Sequence, residues 1–230
     1  MKIYATNIKN LNELNFDYKI YNYFLSNQTL CKVASYKNYK DRVRTIISEL
    51  LIQYIYIQYY QNNFNPIMIQ RNKYGKPYCH NTGFQFNISH AGNWVVAIID
   101  TNQVGIDIEL MADIDYESLI SMFHFIEEQQ LKEATDKKEY FYKLWTIKEA
   151  VLKNIGKGMN IPLNSFYVLL NKEINSVHFK ENDLNYSEFY VKTFDILENY
   201  KLSVCALHSD FPESINFLEP LQFLPYLLDS

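Results

Sequence analysis

The stretch from Val104 to Leu110 places the tightest constraint on how this chain folds. In Val104-Gly105-Ile106-Asp107-Ile108-Glu109-Leu110, every second residue is aliphatic. That is the period of a β-strand, in which alternate side chains share a face. The aliphatic face is expected to enter a core, and Asp107 and Glu109 to project together from the other face. Two carboxylates this close repel each other unless a cation lies between them. Mg²⁺ suits such a pair because it takes oxygen ligands; the competing interpretation is an ordinary strand with a solvated, acidic face.

Length, charge and cysteine usage exclude several classes of protein. The 230 residues allow one large domain or two small ones, and a net charge of -4 gives no general attraction to nucleic acid or anionic membranes. The three cysteines form no C-x-x-C pair, which argues against a disulfide framework or structural zinc. Residues 1–7 lack the apolar run of a signal peptide, and the most apolar helical stretch is too short and polar to span a bilayer. The sequence therefore predicts a cytoplasmic protein with neither membrane nor nucleic acid as a partner.

Two further strands are predicted directly before the acidic one. Residues 84–90 alternate apolar and polar side chains and end in Ser89-His90, and residues 94–100 form a second apolar run. Asn102 allows a hairpin turn into the acidic strand. We therefore expect three sequential strands in one sheet region, with His90 near Asp107 and Glu109.

A helix is predicted over residues 11–24 from an acidic and amide-rich pattern, and two more are predicted from apolar spacing, over residues 37–60 and 139–155. Arg44 lies near the start of the second, where its charge opposes the helix dipole, so it is either solvated or part of an anion site. The third ends at Gly156 and carries Glu149 and Lys153 one turn apart on a face distinct from its buried stripe. Those two residues form either a surface ion pair or, with Glu149 at the metal and Lys153 at a phosphate, part of the site.

The overall pattern predicts an α+β protein. One or two helices are expected between residues 111 and 136, and then four antiparallel strands over 166–170, 176–180, 188–196 and 201–207. The tail, 211–230, is expected to pack back on the body. Since helices and strands follow a similar order on either side of residue 103, we expect two similar α/β halves, 1–103 and 104–230, in a pseudo-twofold arrangement with the site at their interface.

Several motifs follow one another in a specific order. They are Gly75-Lys76-Pro77, Phe86-Asn87-Ile88-Ser89-His90, Gly105-Ile106-Asp107-Ile108-Glu109, Trp145-Thr146-Ile147-Lys148-Glu149-Ala150-Val151-Leu152-Lys153 and Gly156-Lys157-Gly158. The ordered set resembles the 4′-phosphopantetheinyl transferases, in particular the larger, monomeric type that activates surfactin synthetase. The similarity covers nearly the whole chain and implies that family's fold, with coenzyme A held between the two halves.

The resemblance implies transfer of the phosphopantetheine arm of coenzyme A to a serine of an apo peptidyl or acyl carrier protein, with adenosine 3′,5′-bisphosphate as the other product. By motif, the Mg²⁺ ligands would be Asp107, Glu109 and Glu149, and Asp107 would also be part of the coenzyme A site. Lys153 would contact the diphosphate, and Glu149, directly or through a metal-bound water, is the candidate base. The remaining contacts to coenzyme A would come from the adenine-side loop Gly75, Lys76 and Pro77, the phosphate-holding Ser89 and His90, and Arg44 at the 3′-phosphate.

One departure from the family concerns residues 26–32, where lysines are common and only Lys32 is basic here. The 3′-phosphate pocket is therefore expected to be less basic. We also expect the apolar segment 111–125, including Met122 and Phe123, to form part of the surface on which the carrier protein docks.

Two other functions remain open at this point. One is a Mg²⁺-dependent phosphodiesterase that uses water as the nucleophile on coenzyme A. The other is a coenzyme A-binding module without catalysis. The presence together of Asp107, Glu109, Glu149 and Lys153 argues against the second, because binding alone would not require all four.

Overall fold

The structure, a computed structural model, describes residues 1–60, 65–80, 83–170, 175–179, 189–195 and 197–229. The strands are β1 Lys2–Asn7, β2 Gln70–Arg71, β3 Pro77–Tyr78, β4 Gln85–Ala91, β5 Trp94–Asp100, β6 Val104–Leu110, β7 Phe166–Leu169, β8 Asn175–Phe179, β9 Tyr190–Phe194, β10 Tyr200–Ala206 and β11 Asn216–Phe217. The α-helices are α1 Asn27–Ser35, α2 Tyr39–Tyr60, α3 Tyr116–Ile120, α4 Phe125–Glu133, α5 Lys137–Ile155 and α6 Pro220–Asp229. In these residues, no helix combines the length and the apolar character needed to cross a bilayer.

The chain divides into two compact units. Unit 1 contains Met1–Asn72, Pro77–Thr101 and Pro212–Ser230, and unit 2 contains Lys73–Lys76 and Asn102–Phe211. Each unit mixes helices with a sheet that is antiparallel except where β11 runs parallel to β1, which agrees with the predicted α+β class.

Unit 1 is built on a four-stranded sheet in the order β11-β1-β5-β4. Helix α2 packs on β4 and β5. Its apolar residues recur at three- and four-residue steps, so one continuous face of the helix enters the core. That face includes Val43, Ile46, Ile47, Leu50 and Leu51, all essentially inaccessible to solvent.

Unit 2 pairs α5 with a five-stranded antiparallel sheet in the order β6-β10-β9-β8-β7. Asp136 caps the start of α5, since its Oδ1 accepts a hydrogen bond of 2.9 Å from Glu139 N. Gly156 ends the helix with a φ of 76°, the left-handed conformation that glycine adopts without strain. These two signals fix the residues at which α5 begins and ends.

Helix α5 and strand β6 approach each other unusually closely at Gly105. A Cβ atom at this position would lie 1.9 Å from the Ala150 carbonyl oxygen and 2.6 Å from Asn154 N. Because both obstructing atoms belong to the helix backbone, only glycine permits this separation. The close approach sets the spacing between the strand that carries Asp107 and the helix that carries Glu149.

The expected arrangement of three sequential strands in one sheet is wrong. Strands β4 and β5 pair as predicted, but β6 belongs to the other sheet, where it pairs with β10. The reason is that β1 and β4 occupy both edges of β5, which leaves no edge for β6. His90 and Asp107 therefore lie in different sheets and in different units.

Two other predicted features also need correction. The division at residue 103 placed the whole tail in the second half, whereas Pro212–Ser230 belongs to unit 1. Two contacts hold the tail there: β11 pairs with β1, and Phe223 of α6 packs against Tyr54 of α2. The helix expected over 11–24 is reduced to a 3₁₀ helix, Tyr18–Phe24, which Asp17 caps.

Most other boundaries agree with the sequence. The strands expected over 94–100 and 104–110 have those bounds, and α2 and α5 each begin within two residues of the prediction. The strands expected over 176–180 and 188–196 correspond to β8 and β9, and their predicted ends Lys180, Glu188 and Ile196 lie outside the described residues. The cysteines form no disulfide.

Candidate active site

The acidic pair of β6 lies on the side of the strand that faces α5. Gly105 contacts α5 directly, and alternation along the strand places Asp107 and Glu109 on the same face. Asp107 is buried and Glu109 is half-buried. The aliphatic residues Val104, Ile106 and Ile108 are buried as predicted, but Leu110 is exposed at the end of the strand. The carboxylates thus lie between a strand and a helix rather than on an open, solvated sheet face.

Helix α5 supplies the other two residues of this cluster. Glu149 and Lys153 are half-buried one turn apart, on a face different from the buried stripe that includes Leu144 and Ile147. Lys153 Nζ lies 2.6 Å from Asp107 Oδ1, so the lysine bridges the helix and β6. The structure therefore brings Asp107, Glu109, Glu149 and Lys153 together within unit 2.

The electrostatics of the cluster reflect several negative charges in a poorly solvated space. Burial, followed by repulsion from Asp107, raises the pKa of Glu109 to about 7, against the lowering effect of Lys153. Burial and then Asp107 also raise the pKa of Glu149, and Lys153 again acts in the opposite direction. Each glutamate thus experiences the same repelling carboxylate and the same attracting ammonium.

The oxygen-rich donor set fits a hard divalent ion such as Mg²⁺. Mutual repulsion among the three carboxylates is what a bound dication would relieve. In the described part of the chain, no three Asp, Glu, His or Cys side chains are grouped closely enough to hold a metal ion. The cation in contact with Asp107 is instead the Lys153 ammonium.

Three of the predicted phosphate-binding residues lie in unit 1. Arg44 donates from Nη1 to the Gly92 carbonyl oxygen at 2.8 Å and forms an ion pair with Asp41 through Nη2. His90 is exposed near the end of β4, two residues before Gly92, while Ser89 points to the opposite, buried side of the strand. The Asp41 carboxylate compensates the unfavourable position of Arg44 near the helix N-terminus, so a bound anion is not needed to explain that position.

The Gly75-Lys76-Pro77 segment forms a loop in which Gly75 has a φ of 91°. The side chain of Lys76 turns towards the end of α5, where Nζ donates to the carbonyl oxygens of Asn154 at 2.9 Å and Val104 at 3.4 Å. Burial lowers the pKa of Lys76 to about 8. A lysine at the negative end of a helix stabilises that end, which gives this side chain a structural role in unit 2.

Replacing Lys76 by Met is expected to lower the free energy of unfolding by about 1–3 kcal/mol near neutral pH, because two buried carbonyls lose their donor. The loss should grow as the pH rises. Between pH values of about 8 and 10 the unfolded chain, with an ordinary lysine pKa, binds more protons than the folded one, so Lys76 contributes increasing stability. Urea unfolding of both proteins at about pH 7 and about pH 9.5 measures this difference.

Lys73→Met, which removes an exposed lysine of the same loop, is the matched control for this comparison. A difference between wild type and Lys76→Met that shrinks at the higher pH would contradict the lowered pKa of the half-buried Lys76 in the folded protein.

Sequence reasoning missed a buried ion pair next to the site. Lys148 and Glu127 are both inaccessible to solvent, with Nζ and Oε2 2.8 Å apart. Nζ also donates to the carbonyl oxygens of Leu163 and Phe166, each at 2.8 Å. A signal for it existed, because position 148 follows Leu144 by four residues and therefore belongs to the buried stripe of α5.

The expectation that Phe123 lies on a surface is wrong. Phe123 is only 3% exposed, and its ring stacks on that of Phe141 with a centroid distance of 5.8 Å. Neighbouring Met122 is 43% exposed, and the first residue of α4, Phe125, is exposed as well. The apolar surface of this segment therefore consists of residues on either side of Phe123.

Comparisons with known proteins point to one family over nearly the whole chain. A family model described as the 4′-phosphopantetheinyl transferase superfamily matches residues 103–205, and one described as 4′-phosphopantetheinyl transferase, N-terminal, matches residues 14–102. The chain is 34% identical to the 4′-phosphopantetheinyl transferase Sfp of Bacillus subtilis, over 85% of this chain and 88% of the relative. It is 36% identical to the 4′-phosphopantetheinyl transferase gsp of Aneurinibacillus migulanus, over 93% of this chain and 91% of the relative.

A more distant relative comes from a yeast. The L-aminoadipate-semialdehyde dehydrogenase-phosphopantetheinyl transferase of Candida glabrata is 27% identical, over 83% of this chain and 75% of the relative. Both halves of the chain thus match one family in the expected order.

Proposed function

Because the chain belongs to the 4′-phosphopantetheinyl transferase superfamily and is of the Sfp type, we propose that its chemistry is carried by the cluster of Asp107, Glu109, Glu149 and Lys153. The enzyme transfers the phosphopantetheine arm of coenzyme A to a carrier protein. The observation that carries the assignment of the cluster is the bridge from Lys153 to Asp107, which places a cation and three carboxylates between β6 and α5.

Asp107, Glu109 and Glu149 would hold Mg²⁺, which when bound neutralises charge on the diphosphate of coenzyme A. The support is chemical: oxygen donors suit this ion, and two of the carboxylates have pKa values raised by burial and by Asp107. Lys153 would contact the diphosphate, where its positive charge stabilises the leaving phosphate in the transition state.

The reaction is a displacement at phosphorus. The serine Oγ of the carrier protein forms a bond to the phosphorus that bears the pantetheine arm, and the bond from that phosphorus to the bridging oxygen breaks. Adenosine 3′,5′-bisphosphate leaves with the electron pair. Glu149 is the proposed base that takes the serine proton, and burial raises its pKa in the direction that makes a carboxylate a better proton acceptor.

Intact-mass measurement on a panel of apo carrier proteins, incubated with coenzyme A and Mg²⁺, tests the reaction directly. We expect the mass of one phosphopantetheine group to be added to at least one carrier. Release of free phosphopantetheine without any carrier would favour a phosphodiesterase instead, and binding of coenzyme A without turnover would favour a non-catalytic module.

The carrier protein is proposed to dock on a surface made of Leu110, Ile114, Met122 and Phe125, called here the apolar docking surface. All four side chains are exposed; Leu110 is the last residue of β6, and the other three lie in the segment that runs from β6 to the first residue of α4. Exposed apolar side chains are a feature of protein-binding surfaces.

Replacing Met122 and Phe125 together by Ser is expected to raise the KM for the carrier protein by about tenfold, because the contact loses apolar area. The KM for coenzyme A should not change. Met68→Ser is the matched control, since Met68 is an exposed methionine of unit 1. An unchanged carrier KM in a folded double variant would remove this surface from the proposal.

Arg44 is proposed to contact the 3′-phosphate of coenzyme A. Its guanidinium is half-buried next to the turn that follows His90, and arginine binds phosphate through paired, charge-assisted hydrogen bonds. Asp41 and the Gly92 carbonyl already engage this group, so we expect a modest preference for coenzyme A over its 3′-dephospho form, on the order of tenfold in KM.

Arg44→Ala should reduce that preference, while Arg42→Ala, which removes a neighbouring arginine bonded to the Tyr36 carbonyl, should retain it. Steady-state kinetics with both cofactors in the three proteins gives the ratios. Equal KM values in wild type, or an unchanged ratio in Arg44→Ala, would rule out this role for Arg44.

A further inference from the structure

Lys153 forms a direct ion pair with a proposed metal ligand. Its Nζ lies 2.6 Å from Asp107 Oδ1, the Asp107 side chain is 4% exposed, and the lysine side chain is 29% exposed. A buried carboxylate requires a compensating charge or hydrogen bonds. In this structure Lys153 supplies that charge to Asp107.

The influence of Lys153 extends to the rest of the cluster. It opposes the rise in the pKa of Glu109 and of Glu149, which burial and Asp107 cause. One ammonium group therefore offsets the repulsion among three carboxylates that lie between β6 and α5. The ion pair keeps this acidic cluster compatible with the folded state.

A dication and an ammonium cannot both lie against Asp107 at low cost, because they repel each other at contact distances. We infer that Lys153 is an internal counter-ion of Asp107, that a divalent ion displaces it on binding, and that the displaced ammonium is then available for the diphosphate. The contact of the displaced ammonium with the diphosphate rests on the proposed function. The displacement of Lys153 by a divalent ion concerns only this chain and the metal.

The exchange has a thermodynamic consequence. An ion that displaces Lys153 must overcome the Lys153–Asp107 attraction, and an anionic ligand gives the displaced ammonium a new contact. Metal and diphosphate should therefore tighten each other's binding by the same factor. Removal of Lys153 should abolish the competition and the share of this coupling that passes through the lysine, and leave the direct attraction between the ion and the diphosphate.

The test uses Mn²⁺ as the probe, with free ion measured by electron paramagnetic resonance and no coenzyme A present. Lys153→Met is expected to bind Mn²⁺ about tenfold or more tightly than wild type. Lys157→Met is the matched control, since it removes an exposed lysine one turn further along the chain. Thermal unfolding in chelator and in Mn²⁺ checks folding, and the ion should raise the Tm of Lys153→Met more than that of wild type.

Equal or weaker Mn²⁺ binding by a folded Lys153→Met protein would overturn the exchange. If Lys157→Met bound Mn²⁺ more tightly by the same factor, the exchange would also be overturned, because the loss of any nearby positive charge would then explain the result.

Repeating the titration with coenzyme A separates this inference from the proposed function. In wild type, coenzyme A should tighten Mn²⁺ binding by a larger factor than in Lys153→Met, where only the direct attraction between the ion and the diphosphate remains. If Lys153→Met tightens Mn²⁺ binding but coenzyme A has no effect on wild type, the counter-ion role is supported and the release towards a diphosphate is rejected. If coenzyme A tightens Mn²⁺ binding by the same factor in wild type and in Lys153→Met, Lys153 does not carry the coupling between metal and coenzyme A.

Discussion

Replacing Asp107 or Glu149 by Ala is expected to lower the rate of phosphopantetheine transfer by roughly a hundredfold or more. Each change removes an oxygen ligand from the proposed metal site, and Glu149→Ala also removes the proposed base. Single-turnover transfer, read as the mass of the carrier protein at limiting Mg²⁺, measures the loss. The proteins should remain folded, since neither residue belongs to a hydrophobic core.

The two variants should differ in stability without metal. Asp107→Ala leaves Lys153 without the ion pair seen at 2.6 Å, whereas Glu149→Ala removes one of three mutually repelling carboxylates. Glu149→Ala is therefore expected to be the more stable in chelator. Asp113→Ala, which removes an exposed carboxylate, is the control for activity. Transfer at the wild-type rate in either site variant would eliminate this metal site.

Replacing Lys148 by Met is expected to lower the free energy of unfolding by about 3–5 kcal/mol, because Glu127 would remain charged and buried without its cation. Glu127 also accepts hydrogen bonds from Val168 N at 3.0 Å and His124 N at 3.1 Å, so it joins α4, α5 and β7. Burial is the main influence on both partners, lowering the pKa of Lys148 to about 8 and raising that of Glu127. Urea unfolding at neutral pH measures the effect.

A second variant distinguishes a lost ion pair from a general packing defect. Glu127→Gln combined with Lys148→Met removes both charges at similar volume and should recover most of the stability. Lys132→Met, which breaks an exposed ion pair with Glu128, should change the unfolding free energy by no more than about 1 kcal/mol. A double variant as unstable as Lys148→Met alone would show that charge compensation is not the reason.

The sequence predicted the strand and the helix that position the cluster, because their apolar residues recur with a clear period. The alternation from Val104 to Leu110 predicted β6, and the buried stripe together with Gly156 predicted α5 and its end. The strand pairing was not accessible in the same way. In the structure, β1 and β4 pair with the two edges of β5, so β6 cannot pair with it. The local sequence does not indicate this arrangement, because pairing across long separations depends on the whole fold.

The contacts within the cluster could not be predicted from the sequence either. Helical spacing placed Glu149 and Lys153 on one face, yet it could not show that Lys153 reaches Asp107 rather than Glu149. Phe123 was misassigned because an apolar residue of the segment 111–125 can face either the core or the solvent. Its ring turns inward to stack on Phe141, while Phe125 two residues later remains exposed.

The pairing of β11 with β1 has a consequence for the order in which the protein forms during synthesis. Tyr4 pairs with Asn216 and Ala5 with Phe217, so this side of β1 is covered by residues that are synthesised after all of unit 2. Unit 2, apart from Lys73–Lys76, is one continuous run from Asn102 to Phe211. All residues of unit 2 are therefore synthesised before the last strand and helix of unit 1, which is the reverse of the order that favours amino-terminal folding first. Until the tail is released, β1 presents an open edge to other nascent chains.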